Sequence, residues 1–133
     1  SDLDRRIRAV RAFWGLPEAA SLAAANKRIH NILKKLDGPP PVAIVPDLLK
    51  EPAEAALYER MIALREPVET ALAGGDYASA MTRLAGLREA VDAFFEQVLV
   101  MAEADDLRRN RLALLGQLQG LCMGTADLSR LQG

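Results

Sequence analysis

Lys27, Arg28, Asn31, Lys34 and Lys35 recur at helical spacing, and on a wheel of 100° per residue they share one face. Lys27, Asn31 and Lys34 lie opposite an apolar stripe, Arg28 and Lys35 flank them, and no acid falls among them. Four cations and an amide so arranged suit one kind of chemistry. Lys and Arg neutralise phosphates, while an Asn amide can hydrogen-bond a base edge or a ribose hydroxyl. A solvated helix face, with lysines in a last turn that the helix dipole favours, carries the same pattern, and most charge runs are of that kind. The preceding segment adds Arg5, Arg6, Arg8 and Arg11. Phe13 falls about 100° off the stripe that holds Trp14. It is either an exposed platform for base stacking or packed in the corner at Gly15-Leu16-Pro17, and Tyr58 poses the same alternatives.

Covalent and metal chemistry are poorly supplied. The chain has one cysteine, Cys122, and one histidine, His30, both on strongly helical segments. Cys122 sits on a core face and reads as packing; His30 reads as a surface or boundary residue. No glycine cluster follows a strand, as a phosphate cradle requires. The expectation is therefore no catalytic residue and no metal ligand in this chain. Arg88 and Arg111 project from within apolar stripes and must be paired or snorkel to water. Structural pairing is the favoured reading for both, with Asp92 the local partner for Arg88.

The elements that position these residues are helices. Leu3, Ile7, Val10 and Trp14 form a first stripe, which stops at Gly15-Leu16-Pro17. Pro17 opens a second helix to about Leu36, with Leu22, Ala25, Ile29, Ile32, Leu33 and Leu36 inward. Asp37-Gly38-Pro39-Pro40-Pro41 ends it. From Asp37 to Glu51 the pattern predicts an ordered loop that tucks Val42, Ile44 and Val45 against the bundle. Pro52 opens a third helix along Ala53, Leu57, Met61, Leu64, Val68 and Leu72, which Pro67 should kink or split near Arg65. Asp76 caps a fourth, running from Tyr77 to Leu99, and Asp105 or Asp106 a fifth along Leu107, Leu114, Leu118, Leu121 and Cys122. Short loops between such helices predict an all-α fold, an antiparallel bundle of about five helices forming one domain over residues 1–133.

Half of the residues are apolar and 26% charged, the balance of a globular chain. No apolar run approaches the roughly 18 residues of a membrane span. With a lone cysteine, a reducing cytoplasm is the expected compartment. The chain starts without Met or a signal-peptide core, which reads as a fragment of a longer protein. Net charge is −1, which alone argues against a nucleic-acid partner. The distribution argues otherwise: residues 1–36 carry eight bases and three acids, for +5, and the remainder nine bases and fifteen acids, for −6.

Four stretches carry a resemblance. Pro17-Glu18-Ala19-Ala20-Ser21-Leu22-Ala23-Ala24-Ala25-Asn26-Lys27-Arg28-Ile29-His30-Asn31-Ile32-Leu33-Lys34-Lys35 resembles a signature of bacterial glycyl-tRNA synthetase beta subunits. Val91-Asp92-Ala93-Phe94-Phe95-Glu96-Gln97-Val98-Leu99-Val100-Met101 and Asp106-Leu107-Arg108-Arg109-Asn110-Arg111-Leu112-Ala113-Leu114-Leu115 continue the match. Ala126-Asp127-Leu128-Ser129-Arg130-Leu131-Gln132 resembles the end of that subunit. The Asp-x-Leu-Arg stretch is similar to the motif of the DALR anticodon-binding domain, which arginyl-tRNA synthetases share. The resemblance implies a helical domain that engages the anticodon end of the tRNA for glycine. ATP and Mg would then serve an alpha subunit that carries the active site, and this chain would hold no cofactor. Its partners would be that tRNA, the alpha subunit and the rest of the beta subunit, with no membrane. A helical module for subunit assembly, or the related domain of an arginyl-tRNA synthetase, is the alternative. Pro67 and the row Gly116, Gly120 and Gly124 depart from the family pattern. The row should let the helix end fray or let another backbone approach.

Overall fold

A computed structural model describes residues 2–125, with side chains described for residues 2–122. The described chain is all-α, with no strand: α1 Asp2–Trp14, α2 Pro17–Lys34, α3 Pro52–Ala73, α4 Tyr77–Ala85, α5 Arg88–Gln97 and α6 Asp105–Thr125. A short 3-10 turn, Pro46–Leu48, sits between α2 and α3. Ile29, Leu57, Met61, Phe94, Leu114, Leu115 and Leu118 lie at the centre of a single cluster of buried side chains. There α2, α3, α5 and α6 meet, while α1 packs chiefly on α4.

The expected fourth helix is two. Gly86 and Leu87 donate to Arg83 and Leu84 in tight i→i+3 bonds at 3.1 and 3.0 Å. Both residues keep negative φ, and α5 resumes at once. Glycine has the weakest helix propensity apart from proline, and a Cβ at Gly86 would stand 3.1 Å from the Arg83 carbonyl. The second half ends at Gln97, before the expected Leu99. From there the pattern becomes period two. Val98 and Val100 are buried, whereas Leu99 and Met101 point outward, 68% and 52% exposed. Leu99 is therefore not a core residue. Asp76 caps α4 as expected, its carboxylate accepting from the Ser79 N–H at 3.1 Å.

α3 runs unbroken through Pro67, so of the expected kink or split, the split does not occur. Met61 and Val68, both buried, hold it to the core on either side of the proline, which outweighs the one backbone bond lost there. Its start is a capping box between Glu51 and Glu54. Asp105 and Asp106 prove to be first-turn residues of α6, where the helix dipole favours acids.

The loop after α2 is held differently from the sequence expectation. Val42 is 77% exposed and Val45 46% exposed; only Ile44 packs on the core. The grip is polar. Buried Asn110 accepts from the Val45 N–H at 2.7 Å and donates to its carbonyl at 3.2 Å. Gln117 donates to the Val42 carbonyl at 2.9 Å. With four prolines and only the short 3-10 turn of its own, this segment takes part of its hydrogen bonding from α6 side chains.

The glycine row lies on α6 as the sequence places it, and the helix continues through it to Thr125. Nothing lies within 4 Å of a Cβ built on Gly116 or Gly120; the surroundings of Gly124 fall outside the described residues. Glycine in a helix interior costs about 1 kcal/mol relative to alanine. Gly116→Ala together with Gly120→Ala should thus add about 2 kcal/mol and raise the melting temperature by roughly 5–10 °C. A calorimetric scan showing no gain would refute this account of the row.

Candidate nucleic-acid interface

α2 owes its start to Pro17 and its orientation to Ala19, Leu22, Ala25 and Ile29, all buried. Its opposite face is free of apolar burial. Lys27, Arg28, Asn31 and Lys35 line one groove there, of about 510 Å³, together with Ile32, Leu36 and Met101. The Arg28 guanidinium lies 4.5 Å from the centre of the Phe95 ring, a cation–π contact that fixes its position. Lys34 is exposed on the same helix but does not line the groove. His30 is exposed as expected.

Ile32, Leu36 and Met101 line the groove but escaped the sequence reading as site residues, as did Phe95, which meets Arg28 without lining the groove. Met101 arrives on the loop between α5 and α6, which two arginines pin. The Arg111 guanidinium donates to the Leu99 carbonyl at 2.6 Å. Arg108 donates to the carbonyls of Ala102 and Glu103 at 3.2 and 3.4 Å, and pairs with Asp105. The Asp-x-Leu-Arg stretch therefore clamps the start of α6 and the loop before it. The alternation that turns Met101 outward was the available signal.

Arg5 and Arg8 do not join that groove. They line another, of about 460 Å³, between α1 and the start of α4. Arg6 lies 5.6 Å over the Tyr77 ring, and Arg5 is 3.6 Å from Asp2. Tyr77 donates its hydroxyl to Asp2 at 2.9 Å, a bond that raises the phenol's pKa above its ordinary value. The bases of α1 and of α2 thus line two different grooves, because α1 leans on α4 more than along α2.

Several residues are structural. Phe13 is buried and meets Trp14 edge-on at 5.8 Å, so it is no stacking platform. Tyr58 is half-buried against the core. Arg111 is almost wholly buried, 3.0 Å from a Glu54 carboxylate that is fully buried; the sequence had the role but not the partner. Arg88 pairs with Asp92 at 3.4 Å and approaches Glu18 at 4.0 Å. Cys122 is buried, and loss of solvent pushes its thiol pKa up. Among the described residues no three His, Cys, Asp or Glu side chains are placed to hold a metal. No described helix is long and apolar enough to cross a membrane. A roomier groove, about 760 Å³, is lined by Glu18, Glu89, Asp92 and Glu96 beside Arg60 and Arg88. Its acids disfavour a polyanion.

Known proteins carry the same stretch. A beta subunit of glycine–tRNA ligase from Aeromonas salmonicida (strain A449) is 50% identical over 131 residues, 98% of this chain and 19% of the relative. One from Ralstonia nicotianae is 52% identical over 133 residues, 98% of this chain and 18% of its own. One from Nitrosomonas eutropha is 51% identical over 130 residues, again 98% and 18%. The chain thus spans about a fifth of the length of these relatives. The family model described as the DALR anticodon binding domain matches residues 22–123, from the middle of α2 almost to the end of α6. With most of its length inside that match, the chain belongs to the DALR anticodon binding domain family.

Proposed function

We propose that this chain is a single domain that binds the anticodon end of a tRNA, that for glycine, within a glycine–tRNA ligase beta subunit. The observation that carries the reading is the groove on α2. Lys27, Arg28 and Lys35 ring an apolar floor of Ile32, Leu36 and Met101, with Asn31 beside it. An unpaired base is flat and apolar on its faces, polar on its edge, and flanked by phosphates. Ile32 and Met101 offer the faces a dry contact, Asn31 offers the edge a donor and an acceptor, and the cations take the phosphates. The family supports tRNA over other polyanions, and the relatives' names support glycine over arginine. On this reading the chain works with the rest of the beta subunit and with an alpha subunit in the cytoplasm. ATP and Mg2+ serve the alpha subunit, and this chain contributes affinity and specificity.

The test is equilibrium binding of a glycine tRNA transcript to the 133-residue chain across a salt series. The three to four phosphate contacts of the α2 face alone contribute about −3 to the slope of log K against log salt, and any contact elsewhere on the chain steepens it further. A tRNA for another amino acid should share the slope but bind more weakly. Absence of tRNA binding at 50 mM salt would sink the reading. So would a salt-insensitive association between copies of the chain with no RNA bound.

A further inference from the structure

The arginines of α1 are left over from the groove on α2, and α1 lies outside the residues that match the family model, 22–123. All four bases of this helix are arginine, the side chain whose planar fork matches a phosphate bidentately. Arg5, Arg8 and Arg11 follow at i, i+3, i+6, so their Cα atoms climb ~9 Å along the helix. That reach suits adjacent phosphates of one strand. Arg8 and Arg11 are exposed and make no ion pair with any described residue. The nearby acids are engaged elsewhere: Asp2 with Arg5 and Tyr77, Asp76 with the Ser79 N–H, and Asp4 in an interaction of its own.

The floor of the α1–α4 groove is bare. Ala9, Ala12, Ala78, Gly74 and Gly75 line it beside Asp76 and Tyr77, so small residues make up most of the wall that a sugar–phosphate chain would meet on its way to the guanidinium groups. Nothing there suits a base. Tyr77 is covered on one face by Arg6 and tied by its hydroxyl to Asp2, so it offers no free stacking surface. The two basic clusters also stand apart. Arg8 lies ~9 Å before the end of α1, and Lys27 ~15 Å beyond the start of α2, on helices that touch little beyond their shared turn.

From these observations we infer that α1 is a second RNA contact, in which Arg8 and Arg11, with Arg5 at the groove edge, grip the backbone phosphates of a separate stretch of the bound RNA without reading its bases. This rests on the proposed binding of tRNA by the α2 groove. It adds that removal of α1 charge weakens all tRNA sequences alike.

The experiment is hydroxyl-radical footprinting of a glycine tRNA transcript on the 133-residue chain, with a salt series for each variant. Wild type should protect two separated stretches of the RNA. Arg8→Glu with Arg11→Glu should erase one of them, keep the other, and flatten the salt slope by about two units. The same double change should weaken glycine tRNA and a non-cognate tRNA by equal factors, and Arg8→Lys with Arg11→Lys should keep the salt slope while binding several-fold more weakly than wild type, since Lys lacks the bidentate fork. Circular dichroism should be unchanged, since neither side chain is buried. A wild-type slope and footprint in the Glu variant would overturn the inference while leaving the α2 reading intact. One contiguous footprint, removed equally by changes in α1 and α2, would also overturn it. If wild type protects nothing, the tRNA reading itself fails and this inference with it.

Discussion

Arg111→Met should lower the melting temperature by about 10–20 °C. Its guanidinium is the partner of a carboxylate with no access to water, that of Glu54, and it also holds the Leu99 carbonyl. Removing one member of a buried pair leaves the other charged and uncompensated, at a cost of about 3–5 kcal/mol. For a domain of this size that is a large share of a total stability of roughly 5–15 kcal/mol. The same logic predicts recovery. Glu54→Gln keeps an oxygen that can accept from the Glu51 N–H, the other bond that this side chain makes at the start of α3, while removing the stranded charge. The double variant Glu54→Gln with Arg111→Met should regain at least half of the loss, because buried ion pairs are seldom much better than neutral replacements. Calorimetry on the two single variants and the double would decide it. A single Arg111 change costing under about 1 kcal/mol, or a double variant no better than it, would refute the account.

The second large effect is on binding. Lys27→Glu, Lys34→Glu and Lys35→Glu together should weaken tRNA binding by about a hundredfold or more at 0.1 M salt and flatten the salt slope by about three units. All three side chains are exposed on α2, opposite its buried Leu22, Ala25 and Ile29. Surface changes of that kind usually cost under about 0.5 kcal/mol each, so the melting curve should barely move. Arg28 is left out because its contact with the Phe95 ring gives it a packing role as well as a charge. Normal tRNA affinity in a normally folded triple variant would reduce the α2 face to a solvated surface.

The helical class and most core positions were legible because amphipathic spacing repeats over several turns in each helix. Leu22, Ala25, Ile29, Leu57, Met61, Val91, Phe94, Leu114 and Leu118 all end where their spacing put them. Boundaries set by one residue were not. Gly86 ends α4 through a local change of bonding that apolar spacing hides, since the stripe on either side keeps its phase. Val42 and Val45 look like core residues by type, yet their side chains face outward because Asn110 and Gln117 claim the backbone between them. The site was half legible for a similar reason. One helix face can be read from a wheel, and so Lys27, Arg28, Asn31 and Lys35 were found together. Contacts from other elements cannot, because Met101 in the groove and Phe95 against Arg28 reach α2 only through tertiary packing. Nor could a wheel show that α1 would lean on α4 and carry its arginines away.

Asn110 gives the loop before α3 an unusual relation to time. The Val45 amide sits in an irregular, largely exposed segment, where backbone hydrogens ordinarily exchange with water at rates set by local fraying. Here that hydrogen is held by a side chain rooted in the buried face of α6. It can leave only when the buried Asn110 side chain lets go. One amide in a surface loop thus keeps the clock of the core, while its neighbours keep the clock of the solvent.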